Sequence, residues 1–154
     1  MKGNAKVIAA LNGLLMDELT AVHKYFLHAE MCKRWGYNKL VEVIGNRVCK
    51  EQEHAHELMT HILFLDGKPY IAQINTVDIG SDVKSILAND LKLELEARSK
   101  YNDAIMVACD SNDHGSAGVM RHNLEEEEDH ITYIQAALDQ IEQMGLNNFL
   151  ASLV

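Results

Sequence analysis

Apolar residues recur along most of this chain at steps of three and four, the period of a single helix face. Four long stretches carry the signal, and breakers separate them. The first runs from Asn4, a side chain suited to an N-cap, to Trp35, and Gly36 ends it. The second starts near Asn38 and stops at Asp66-Gly67-Lys68-Pro69, the strongest breaker cluster in the chain. A connection from Asp66 to Gly80 shows no helical period. Ser81 or Asp82 then caps a third helix that reaches about Asp110. Ser111 to Ser116 reads as a loop, and the fourth helix continues to Met144-Gly145. The apolar segment Asn147 to Val154 suits one or two further helical turns.

Loop lengths constrain the topology. Short links make the first and second helices antiparallel, and likewise the third and fourth. The middle connection is long enough to do something else: fully extended, about 15 residues reach ~50 Å. A helix of about 28 residues is ~42 Å long. The connection can therefore cross the whole bundle and set the third helix parallel to the second. The expected fold is all-α: a four-helix bundle with one long crossover and a short C-terminal helix, residues 1–154 forming a single domain.

The stripes carry an anomaly. In the second helix Ile44, Val48, Glu51, Ala55, Leu58, Ile62 and Leu65 share one face, and in the fourth Met120, Leu124, Glu127, Ile131, Ile134, Leu138 and Ile141 do the same. The first helix aligns Leu11, Leu15, Glu18, Val22 and Tyr25; the third nearly aligns Leu87, Leu91, Glu94, Arg98, Tyr101 and Ile105. Each core stripe thus contains one glutamate, with Arg98 at an edge as the cation expected nearby.

Spacing gives a second, independent signal. Glu18 and Glu51 lie 33 residues apart, as do Glu94 and Glu127. A shift of 76 carries Glu18 onto Glu94, Glu51 onto Glu127, His54 onto His130 and Tyr25 onto Tyr101. Glu51 with His54, and Glu127 with His130, are i, i+3 pairs whose side chains share a helix face and can hold one ion. Four ionised carboxylates left unpaired in a core would cost many kcal/mol or take up protons; two divalent cations cancel them. A carboxylate-rich set with one imidazole per ion suits iron or manganese rather than a tetrahedral structural zinc. This is the recognised pattern of di-metal helix bundles. Tyr25 and Tyr101, each two turns beyond a glutamate, are expected to bond the second oxygen of a ligating carboxylate. Glu125 to Asp129 reads as a solvated face with only Glu127 turned inward. His23, His28, His56, His61, His114 and His122 lack partners at site-like offsets and are expected at the surface or as caps.

Composition narrows the function. The chain has 14 basic against 23 acidic side chains, a net charge of −9, which argues against nucleic-acid or anionic-membrane partners and suits a protein that handles cations. Lys2 and Lys6 alone are too little for a DNA-binding arm. No apolar run nears the ~18 residues of a membrane span, and the apolar stretch near the start is shorter than a secretory signal needs. Cys32, Cys49 and Cys109 form an odd set without ligand-like spacing, as expected in a reducing cytoplasm.

The six site residues, with Tyr25-Phe26-Leu27-His28, Ile62-Leu63-Phe64-Leu65-Asp66-Gly67 and Met144-Gly145-Leu146-Asn147-Asn148-Phe149-Leu150, closely resemble bacterioferritin, over essentially the whole chain. The resemblance implies a catalytic di-nuclear iron centre with Glu18 and Glu94 as terminal ligands, Glu51 and Glu127 bridging, and His54 and His130 each capping one iron. It implies ferroxidase activity with oxygen or hydrogen peroxide as oxidant, and ferric mineral stored in a hollow 24-subunit shell. Gln52 stands where haem-binding members carry a ligating methionine, so this chain offers haem b no thioether. The shell is then haem-free or completed by a second, methionine-bearing subunit type. Asn46 and Lys50 replace the His and Asp of an inner-surface iron site, so no electron route through that site is expected. The competing readings are a di-iron oxygenase or peroxidase acting on another substrate, and a non-catalytic protective shell subunit.

Overall fold

The computed structural model describes residues 1–154. It contains five helices and no strand: α1 (Ala5–Trp35), α2 (Asn38–Phe64), α3 (Val83–Asp110), α4 (His114–Met144) and α5 (Leu146–Ala151). Helix ends follow local chemistry. The Asn4 side chain accepts from Lys6 N at 2.8 Å and opens α1. Gly36, at φ 86°, closes it in the left-handed conformation that a side chain would strain. Asp82 and Ser85 form a reciprocal capping box at α3. The fourth helix begins earlier than the sequence pattern suggests. The Asp113 carboxylate accepts from Ser116 N at 3.0 Å and from Ser116 Oγ at 2.7 Å. This cap draws His114–Ser116 into the first turn and leaves only Ser111–Asp113 as loop.

The topology matches the loop-length argument. α1 packs along α2 and α3 along α4, and the two hairpins meet mainly through α1 and α3. The core splits into two apolar halves. One gathers Leu40, Ile44, Ile86, Leu87, Ile134 and Ile141, where α2 and α3 begin and α4 ends; Phe149 of α5 joins it. The other gathers Val7, Leu11, Leu58, Ile62, Ala108 and Met120, where α1 and α4 begin and α2 and α3 end. α3 therefore runs parallel to α2. Between the halves lies a layer of buried polar and charged side chains.

The crossover between α2 and α3 is irregular but fastened along α1. Asn12 Nδ2 donates to Lys68 O (3.2 Å) while its Oδ1 accepts from Tyr70 N (2.6 Å). Thr20 Oγ1 accepts from Asn75 N at 2.9 Å, and His28 Nε2 lies 2.7 Å from Ile79 O. These attachments, spaced along one face of α1, satisfy backbone groups that a long loop leaves unpaired. His28 thus departs from expectation: it is fully buried rather than a surface or capping group. Its Nδ1 lies 3.1 Å from Asp90 Oδ1, and Lys24 Nζ lies 3.3 Å from the same oxygen and 2.8 Å from Asn89 O. Lys24 and Asp90 are both buried, so α1 and α3 are joined by a desolvated ion pair, to which His28 ties the crossover. Breaking such a pair from one side leaves an uncompensated charge. Asp90→Ala is expected to cost about 3–5 kcal/mol in urea unfolding, and adding Lys24→Met should recover part of it. A loss under about 1 kcal/mol would show that water already reaches the pair.

Candidate metal centre

The polar layer is built one helix at a time. Glu18 comes from α1, Glu51 and His54 from α2, Glu94 from α3, and Glu127 and His130 from α4. Each glutamate occupies a position in its stripe that packing would give to an apolar residue. All four are buried, as is His54; His130 is slightly more open, with 12% of its side chain exposed. The structure brings all six expected residues into two overlapping groups. Donor atoms of Glu18, Glu51, His54 and Glu127 lie within 4.8 Å of one another, and those of Glu51, Glu94 and His130 do likewise. Glu51 belongs to both.

The atoms facing this centre are poorly satisfied. His54 Nδ1 is 3.0 Å from Glu127 Oε1, 3.4 Å from Glu51 Oε2 and 3.6 Å from Glu18 Oε2. Yet His54 Nδ1, Glu127 Oε1 and both Glu51 oxygens lack an aligned hydrogen bond. Buried polar atoms without partners are costly unless something else meets them. Anionic oxygens converging on a ring nitrogen are what a hard or borderline cation requires. The outward atoms, by contrast, are held. His54 Nε2 lies 2.9 Å from Glu126 Oε2, which orients the imidazole with Nδ1 inward. His130 Nδ1 lies 2.9 Å from Glu94 Oε1. Tyr25 OH donates to Glu94 Oε1 and Tyr101 OH to Glu18 Oε1, each tyrosine serving the glutamate of the opposite hairpin. Asn123 Nδ2 lies 3.3 Å from Tyr101 OH and extends that contact into α4.

Two expectations are corrected here. Arg98 is not the site's cation: it is half exposed on the surface and pairs with Glu128 at 2.7 Å. The cation inside is Arg47, whose Nε lies 2.6 Å from Glu51 Oε1 and whose Nη2 lies 2.5 Å from Glu127 Oε2 and 3.7 Å from Glu94 Oε2. Arg47 sits beside the apolar seam of α2 rather than in it, and its i, i+4 offset from Glu51 is the sequence signal that marks it. Glu126 is likewise not a plain solvated residue, since it holds both His54 and Lys50. Of the Glu125–Asp129 run, Glu125, Glu128 and Asp129 do face solvent.

The electrostatics are those of a site without enough positive charge. Burial, followed by the neighbouring Glu18, pushes Glu51 up to about 8. Burial and the charge on Glu94 raise Glu127 well above the carboxylate range. Glu94 goes the other way: burial opposes ionisation, but hydrogen bonds from Glu127 and His130 overcome it. Burial alone would lower His54, yet Glu127, Glu18 and Glu51 hold its proton and raise it. Burial, then Glu94 in one case and Glu18 in the other, keeps Tyr25 and Tyr101 protonated as donors.

Comparison with known proteins now decides the family. The ferritin-like domain matches residues 8–144. A bacterial ferritin of Paramagnetospirillum magnetotacticum is 39% identical over 155 residues, covering 99% of this chain and 94% of the relative. The chain belongs to the bacterioferritin family. A bacterioferritin of Brucella melitensis is 34% identical over 145 residues, 94% of this chain and 90% of its own. A bacterial ferritin of Neisseria gonorrhoeae is 35% identical over 153 residues, 99% of each chain. The expectation drawn from the quoted motifs is therefore met at family level. Gln52 is exposed on α2.

The shifts set a pH dependence. An unfolded glutamate ionises near ~4.3 and an unfolded histidine near ~6.5. The raised Glu51 therefore adds stability that is complete below that lower value and is lost as pH rises through about 8. The raised His54 acts in the same direction at higher pH. Metal-free protein should therefore melt at a lower temperature at pH 8.5 than at pH 6, and zinc loading should shrink that difference. Equal melting of the metal-free protein at both values would contradict the reading of these carboxyls.

Proposed function

We propose that this chain is the ferroxidase subunit of an iron-storage shell, with Fe(II) as its substrate. The observation that carries the reading is the convergence of Glu18, Glu51, His54, Glu94, Glu127 and His130, with unsatisfied oxygens, in the middle of a ferritin-like bundle. The donor set fits iron: oxygen-rich, one imidazole per ion, and no thiolate, since Cys32, Cys49 and Cys109 lie outside both groups.

In this reading Glu18 and His54 take one ion, Glu94 and His130 the other, and Glu51 and Glu127 span the pair. The contact between His54 and Glu126 fixes the ring so that Nδ1 serves as ligand. Tyr25 and Tyr101 occupy the outward oxygens of Glu94 and Glu18, which turns the remaining lone pairs inward without adding charge. The protons on Glu51 and Glu127 leave as cations enter, so binding itself converts the carboxyls to ligands. Bound Fe(II) would supply the electrons that reduce oxygen or hydrogen peroxide. The four carboxylates favour the more highly charged oxidised iron by charge alone. The space next to Glu18, Glu51, Glu94 and Glu127 is about 20 Å³, water-sized, and lined by Asp17, Glu96 and Lys100 at its outer side. An organic substrate does not fit there, which favours oxidation of iron over an oxygenase reaction.

Shell assembly with 24 copies, of this chain alone or with a second subunit type, is what the family resemblance implies and forms part of the proposal. So is a cytoplasmic setting, consistent with three free cysteines and with no helix long and apolar enough to cross a membrane. Glu127→Ala should abolish rapid Fe(II) oxidation, followed by ferric absorbance after aerobic mixing, while native mass shows the multimer unchanged. Wild-type rates in that variant would refute the assignment, and a monomeric native mass for the unaltered protein would refute storage.

A further inference from the structure

The buried arginine changes how this site fills. Arg47 reaches Glu51, Glu94 and Glu127 together, and its side chain is only 7% exposed. Its two short contacts, 2.6 Å to Glu51 and 2.5 Å to Glu127, fall on the carboxylates that would span both ions, while Glu94 lies 3.7 Å away. The guanidinium thus draws on the oxygens that the two ions would share. A fixed cation and a divalent ion cannot share carboxylates at these distances without strong repulsion.

The structure also offers the guanidinium somewhere to go. An open cleft of about 290 Å³ between α2 and α4 is lined by Arg47 itself and by Val43, Asn46, Glu126, Asp129 and His130. Glu126 O already lies 3.4 Å from Arg47 Nη1. A rotation of the long side chain would carry the charge from three buried carboxylates to Glu126 and Asp129 at the cleft, with Lys50 beside them. Arginine suits this task because it stays charged in both places and hydrogen-bonds through a planar fork.

We propose that Arg47 is a resident counter-cation of the spanning carboxylates Glu51 and Glu127, displaced into the α2–α4 cleft when divalent ions bind. The inference rests on the di-metal reading above and adds to it a residue that must move for the site to fill.

Anaerobic cobalt(II) titration of the assembled protein, read by visible absorption and calorimetry, tests this without any turnover. In Arg47→Met cobalt binding should tighten by about tenfold or more, as expected for removing one close like charge. Arg47→Lys retains the charge and should keep the unaltered affinity, whereas a purely structural role would make both variants behave alike. Should Arg47→Met fail to assemble, Arg47→Gln serves the same comparison. Cobalt affinity unmoved in the neutral variants overturns the proposal for Arg47 while leaving the metal centre standing. Absence of cobalt binding in the unaltered protein, or binding indifferent to His54→Ala, overturns the di-metal reading itself.

Discussion

Everything in this molecule is arranged around the cost of putting carboxylates in oil. Glu18, Glu51, Glu94 and Glu127 divide an otherwise continuous apolar core into two halves, each of which packs well alone. Without a partner the charges are relieved in three ways: protons are retained on Glu51 and Glu127, Arg47 and His54 lend positive charge, and tyrosine hydroxyls cap outward oxygens. None of these satisfies the inward atoms. A bundle that holds such a layer gives up stability at its centre, and the surrounding helices supply what the centre lacks; in the proposed function the return is the ability to take up cations.

The long crossover belongs to the same logic. Only a parallel α2 and α3 let each hairpin present its glutamate and Glu-x-x-His pair to the other across a pseudo-twofold axis. An irregular connection of that length would ordinarily be a weak element. Here Asn12, Thr20 and His28 anchor it to α1 in sequence, and the buried Lys24–Asp90 pair joins α1 to α3 beside its far end, close to the carboxylate layer. The crossed tyrosines then bind the two halves together at the site itself, so the alignment of the hairpins and the aim of Glu18 and Glu94 are one constraint.

Much of this was legible in the residue pattern, and for identifiable reasons. A glutamate in an apolar stripe is conspicuous, and a matched offset between two halves is hard to produce without a shared site. Helix ends at Asn4, Gly36 and Asp82 were readable because their caps use local side chains. What escaped were contacts that no period announces. Arg47 and Lys24 flank their stripes, so their burial depends on how neighbouring helices close over them. His28 looked partnerless because its partners, Asp90 and Ile79, are more than fifty residues away. Glu126 was hidden in a run of acids whose other members Glu125, Glu128 and Asp129 do face water. Arg98 was misassigned because a stripe edge resembles a site edge until the helix is rotated into place.

The central claim is that cations belong between these six side chains. Anomalous diffraction at the iron edge, from crystals soaked in ferrous salt without oxygen, measures that directly. The account predicts two peaks roughly 3.5–4 Å apart, one beside Glu18 and His54 and one beside Glu94 and His130, with Glu51 and Glu127 between them. Iron found only on the surface, with the core glutamates still holding Arg47 and each other, would contradict it.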